Sequence, residues 1–160
     1  MYFTAREIAA YHEAGHVIAA LHCGCRIRSV CIDNDRHGNG LTRVLYPIDN
    51  TRRQTMRRLH VCLAGYVSES RLLKQPPTLV RSIDLDDAVE YAHRLTYEDQ
   101  PEAERLIYST VERLQRFFCD PRTWQRVEAL AEGLLLAGEL DEAAVAMVLN
   151  ERGQHVIATA

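Results

Sequence analysis

The sequence predicts a mostly α-helical domain of the α+β class, with one small β-sheet. Apolar residues recur at helical spacing through most of the chain, as at Met56, Leu59, Leu63 and Val67. Capping residues or prolines stand at the start of each such stretch. Only residues 26–32 and 41–46 read as strands, and a turn-rich stretch joins them.

The elements follow in order. Thr4 with Glu7 is a capping-box pattern, which opens a helix to about residue 21 that Gly24 closes. Gly15 costs this helix about 1 kcal/mol relative to alanine, so its expected use is close approach by another backbone. Residues 26–32 alternate as Arg26, Ile27, Arg28, Ser29, Val30, Cys31, Ile32, a strand with one buried face. Residues 33–40 form the loop, and Pro47 ends the second strand. Together the strands predict an antiparallel pair.

Thr51 caps a long helix to about residue 73, and Gln75-Pro76-Pro77-Thr78 breaks it. Ser82 caps a helix over about 84–97, Pro101 opens one to about 118, and Pro121 another to about 136. Asp141 caps the last, to about residue 152. Residues 1–152 are expected to form a single domain, and residues 153–160 a flexible tail.

Composition narrows the function. At 160 residues, 47% hydrophobic and 26% charged, the chain suits one globular domain with its own core. A net charge of −3 argues against a general nucleic-acid partner. Arg52, Arg53, Arg57 and Arg58 crowd one helix start, where they read as a solvated or salt-bridged face, with a patch for nucleic acid or an acidic partner as the alternative. No run of 18 apolar residues occurs and no signal-peptide pattern opens the chain, so no membrane segment is expected. Five cysteines, an odd number without a pairing framework, point to a reducing, cytoplasmic compartment. Cys23-Gly24-Cys25 beside His22 reads as buried filler and helix cap, with a second metal site as the alternative.

The chemistry sits in His12-Glu13-Ala14-Gly15-His16. A spacing of four residues is about one helical turn, so both imidazoles project from one face and can grip one zinc ion. Glu13 leans toward the same face, where it can take a proton from water. With 7 His and 13 Glu in 160 residues, shuffled sequence yields about 0.03 such motifs, so the match is specific. A catalytic zinc needs three protein ligands and an open position. Glu13 must stay free as base, so the third ligand comes from elsewhere. Asp84, Asp86 and Asp87 are the acidic candidates; all three also read as helix N-terminal acids. His22, His37, His60 and His93 are weaker candidates.

The stretch Ala10-Tyr11-His12-Glu13-Ala14-Gly15-His16-Val17-Ile18-Ala19-Ala20 resembles the active-site helix of the FtsH family, membrane-bound ATP-dependent zinc metallopeptidases. Further resemblances follow in the family's order. Gly38-Asn39-Gly40-Leu41-Thr42 leading to Leu45-Tyr46-Pro47 is similar to its glycine-leucine-threonine edge strand. Leu63-Ala64-Gly65 with Glu69 is similar to its Ala-Gly-Arg-x-Ala-Glu helix, with Tyr66 replacing the arginine. Asp84-Leu85-x-x-Ala88 is similar to the segment supplying its third zinc ligand, although Val80-Arg81-Ser82-Ile83 departs from it. Trp124, Val127, Leu130, Leu134 and Leu135 before Gly138-Glu139-Leu140-Asp141 resemble its closing helices. The likeness covers about residues 4–150.

The resemblance implies a helical zincin-like domain with its sheet beside the His12–His16 helix. It implies Zn2+ held by His12, His16 and Asp84, with Glu13 as general base. It implies an edge strand, Gly40, Leu41, Thr42, Arg43 and Val44, along which a polypeptide substrate aligns by backbone hydrogen bonds. Glu69 is expected either to steady a ligand from behind or to be a plain surface acid. A phosphate loop needs a lysine after glycine, but Lys74 is the only lysine and follows Leu73. The expectation is therefore a peptidase domain that binds no ATP and works as a homo-oligomer or with a separate unfoldase. The competing expectation is a catalytically weak scaffold that binds a partner.

Overall fold

A computed structural model describes residues 2–32, 40–48, 51–80 and 82–155, with backbone alone from 151 on. Its elements run α1 (Ala5–His22), β1 (Arg26–Cys31), β2 (Leu41–Leu45), α2 (Thr51–Leu73), α3 (Ile83–Leu95), α4 (Gln100–Cys119), α5 (Pro121–Ala137), β3 (Glu139–Asp141) and α6 (Glu142–His155). The chain is mostly helical, with one small antiparallel sheet, as the sequence predicts. Residues 33–39, which include His37, Gly38 and Asn39 of the expected loop, lie outside the described residues. So do residues 156–160 of the expected tail, while α6 carries its backbone on to His155.

The central element is α1. Thr4 caps it: its hydroxyl accepts from the Glu7 N–H, and the Glu7 carboxylate accepts from the Thr4 N–H at 2.7 Å. Its other end is a Schellman turn. Gly24 takes φ +75°, and the Cys25 N–H reaches the Ala20 carbonyl at 2.9 Å. Between them Ala10, Ala14, Val17, Ile18 and Ala20 are wholly buried. Such small side chains let α2 and α5 pack closely against α1. At Gly15 a Cβ would lie 2.5 Å from the Ser68 Cβ and 2.9 Å from the Ala64 carbonyl oxygen. Only glycine permits that approach, which fits the use expected for it. Ser68 seals the contact by donating to the Tyr11 carbonyl at 2.6 Å.

The sheet has three strands in the order β2-β1-β3, not the expected pair. β3 pairs Leu140 with Val30 and Glu139 with Cys31. Three residues directly after a helix-ending glycine are too few to show alternation, so no sequence pattern marks them. β1 alternates only through Ser29. The register then slips between Ile27 and Ser29, and Ser29, Val30 and Cys31 are all buried. A bulge and a central position in the sheet account for the lost alternation. β2 lies at the sheet's edge: it pairs with β1 on one side, and no strand flanks its other side among the described residues.

The remaining helices brace this frame. α3 begins at Ile83 with Ser82 as N-cap and stops at Leu95, two residues short of the expected end. Tyr97 and Glu98 take positive φ, which turns the chain into α4. Phe118 of α4 and Val127, Leu130 and Leu134 of α5 complete the core.

Candidate metal centre

Three helices deliver the candidate residues: α1 brings His12, Glu13 and His16, α2 brings Glu69, and α3 brings Asp84 in its first turn. The Nε2 atoms of His12 and His16 each lie 3.3 Å from the same oxygen, Oδ2 of Asp84. The imidazoles meet edge to face, with centroids 4.7 Å apart. Among the described residues His12, His16 and Asp84 form a group whose ligand atoms all fall within 4.8 Å.

These spacings fit zinc. Two ligands about 2.0–2.1 Å from a tetrahedral ion stand about 3.3 Å apart, which is the separation of each histidine nitrogen from the carboxylate. The outer ring nitrogens are engaged, which turns both Nε2 atoms to one point. His12 Nδ1 lies 3.2 Å from Oε2 of Glu69, and His16 Nδ1 lies 2.7 Å from the Val61 carbonyl. Such partners fix tautomer and ring orientation. The cluster also has an open side. The His16 side chain is 6% exposed, but that of Asp84 is 37% exposed, leaving a face where water or substrate can enter.

Without a metal the cluster is strongly polarised. Burial pulls His12 toward neutrality, but hydrogen bonds to Asp84 and Glu69, with the charge of Glu13, raise its pKa to about 9. Burial pushes Asp84 up, yet the two histidines overcome it and hold its carboxyl well below the usual range. The pair is an imidazolium caught between carboxylates, and a divalent cation would replace its proton.

Two glycines make room. On α2, a Cβ at Gly65 would lie 2.4 Å from Nε2 of His12 and 2.6 Å from Nε2 of His16. Before β2, a Cβ at Gly40 would lie 2.3 Å from Cγ of Glu13. Glu13 is 6% exposed, and its Oε2 accepts from the Thr42 hydroxyl at 2.6 Å.

Of the residues singled out in sequence, His12, His16 and Asp84 converge, Glu69 backs His12, and Glu13 lies beside them against β2. Asp86 and Asp87 share α3 but stay out of the ligand group, as do Cys23, Cys25, His22, His60 and His93. Leu41, Thr42, Arg43 and Val44 form β2, while Gly40 precedes it and presses on Glu13. Arg43 reaches across to Ser29 at 3.2 Å.

Sequence reasoning missed the part played by Tyr66. Its ring meets His12 edge-on at 5.4 Å, and its hydroxyl donates to the Val80 carbonyl at 3.0 Å and contacts the Ser82 hydroxyl. It thereby ties α2 to the start of α3, next to Asp84. A tyrosine carries no local signal for such a role. Its one mark in the sequence is that it follows Gly65 where the resembled family has arginine.

No family model matches this chain, and no curated protein matches it.

Proposed function

We propose that the protein is a zinc-dependent endopeptidase of the FtsH-peptidase type, acting on extended or unfolded polypeptide without an ATPase of its own. The observation that carries this reading is the 3.3 Å spacing of both Nε2 atoms from one Asp84 oxygen, with Glu13 on the same helix turn. His12, His16 and Asp84 would hold the ion. Zinc when bound supplies Lewis acidity toward water and a peptide carbonyl.

The chain's own groups do the rest. Glu13 takes the proton of the attacking water and returns it to the leaving amine. Thr42 holds one Glu13 oxygen, leaving the other for the proton. Glu69 and the Val61 carbonyl keep the imidazoles aimed. The outer edge of β2 would offer backbone donors and acceptors to an extended peptide, and Thr42 ties this strand to the general base. An uncovered edge is normally a liability; among the described residues no strand covers this one, and its place beside Glu13 favours use. A plain scaffold has no physical need for a buried carboxylate at Glu13.

The test joins elemental analysis to cleavage of a labelled, unfolded polypeptide. Wild type is expected to carry one zinc per chain and to cleave. Glu13→Gln is expected to keep its zinc and lose about 10² to 10⁴ in rate. Asp84→Ala is expected to lose the metal at limiting zinc. Full zinc retention by Asp84→Ala, or equal cleavage by Glu13→Gln, would overturn the proposal.

A further inference from the structure

Asp84 is the most open of the three ligand candidates, and it stands in the first turn of α3. The buried residues of α3 are Ala88, Ala92 and Leu95, all beyond that turn. Val80 and Ile83, on either side of the cap residue Ser82, are exposed, and Leu85 is half-buried. Apolar packing therefore grips α3 mainly from Ala88 onward, and polar contacts set the place of its first turn.

Those contacts converge on the buried Tyr66 of α2. Its hydroxyl donates to the Val80 carbonyl at 3.0 Å. A phenol has one proton, so its oxygen accepts from the Ser82 hydroxyl, its second partner. Ser82 Oγ, as N-cap of α3, accepts in turn from the Leu85 N–H at 3.3 Å. The result is a relay from the Leu85 N–H through Ser82 and Tyr66 to the Val80 carbonyl, and it pins the chain to α2 on both sides of the cap. The Tyr66 ring also meets His12 edge-on, with centroids 5.4 Å apart. One side chain thus touches a histidine of the cluster and holds the turn that carries its aspartate.

We propose that Tyr66 is a positioning residue for the metal centre: its hydroxyl holds the Ser82 cap of α3, so that Asp84 meets His12 and His16 at one point. The inference rests on the reading of those three residues as a metal site. The phenol's proton is committed to Val80, so Tyr66 is not the group that polarises a substrate carbonyl. Arginine, which the resembled family has at this position, bears no acceptor and could not close the relay.

The experiment compares wild type, Tyr66→Phe, Asp84→Ala and the double variant. Zinc affinity is read by competition with chelators, and the ligand set by the absorption spectrum of bound Co2+. Tyr66→Phe keeps the ring against His12 and should fold. Its zinc affinity is expected to fall about tenfold, the low end for losing an outer partner of a metal site. Its cobalt spectrum should move toward that of Asp84→Ala. In the Asp84→Ala background the same substitution should change nothing further, because the hydroxyl acts through Asp84. Ser82→Ala, which breaks the relay at its middle, should match Tyr66→Phe, and Ser82→Thr should keep wild-type affinity.

Unchanged zinc affinity and cobalt spectrum in Tyr66→Phe would overturn the proposal. So would an equal loss of affinity with and without Asp84, which would mark a general loosening of the fold. Normal zinc binding with lost peptide cleavage would make the phenol a catalytic group instead. A wild type that binds neither ion would overturn the metal reading itself, whereas equal binding by wild type and Tyr66→Phe would leave that reading standing and remove only the role of Tyr66.

Discussion

The hydroxyl of Thr42 on β2 donates to Oε2 of Glu13 on α1 at 2.6 Å, tying the sheet's edge strand to the candidate general base. The link spans 29 residues of sequence and joins the two features that a peptidase must align, a base and a place for the peptide. Removing the donor without changing the side chain's shape isolates it. Thr42→Val is expected to keep its zinc and its KM while kcat falls about tenfold, the scale of one hydrogen bond to a charged group. Thr42→Ser should restore most of the rate. Steady-state kinetics on one peptide decide this. Equal kcat in wild type and Thr42→Val would show that the bond does not position the base.

Gly65→Ala should separate folding from metal binding. Alanine gains about 1 kcal/mol over glycine in a helix interior, so α2 has no propensity reason to suffer. Yet the new Cβ would sit 2.4 Å from the Nε2 of His12, whose ring Glu69 holds from behind. The expected outcome is a folded protein by circular dichroism whose zinc affinity, by competition with a chromophoric chelator, is at least about tenfold weaker. Wild-type affinity would mean that the imidazoles yield freely.

Glu69→Ala removes the partner of His12 Nδ1 and leaves the ligand atoms themselves intact. Losing such a partner typically costs about 10- to 100-fold in metal affinity or activity. Zinc competition should show a loss on that scale, with Glu69→Gln intermediate because its amide oxygen still accepts a hydrogen bond. Unchanged affinity in Glu69→Ala would return Glu69 to the role of a surface acid.

Local features were legible in the sequence, and distant ones were legible only by resemblance. The Thr4–Glu7 box and the His12–His16 pair rest on spacings of three and four residues, which helical geometry fixes directly. Asp84 meets His12 across 72 residues, and no periodicity distinguishes it from Asp86 or Asp87. Its place depends on how α2 and α3 pack, through contacts such as that of Tyr66 with Val80 and Ser82. β3 escaped notice because its reason to be a strand lies in β1, its partner, and not in its own three residues. Gly65 stood in the sequence only as part of the Leu63-Ala64-Gly65 resemblance; its physical use, making room for the two imidazoles, needs the packing of α1 on α2.

If the proposed site holds zinc, proton and metal would compete for the same nitrogen of His12, and the sign of the pH dependence follows. In the metal-free fold this histidine has its pKa raised from 6.5 to about 9. Its contribution to stability is therefore complete below pH 6.5 and is lost as pH rises through about 9. Above that, the neutral ring no longer offsets Asp84 and Glu69. Zinc reverses the trend, because a ligand histidine must be neutral and binding expels the proton. Metal-free protein in chelator should thus unfold at a lower temperature at pH 9.5 than at pH 7. Protein with excess zinc should hold or gain over the same span, and calorimetry in buffers of different ionisation enthalpy should report at least one proton released per zinc at pH 7.5. Melting temperatures that fall in parallel with and without zinc, together with no proton release, would place the metal somewhere other than His12.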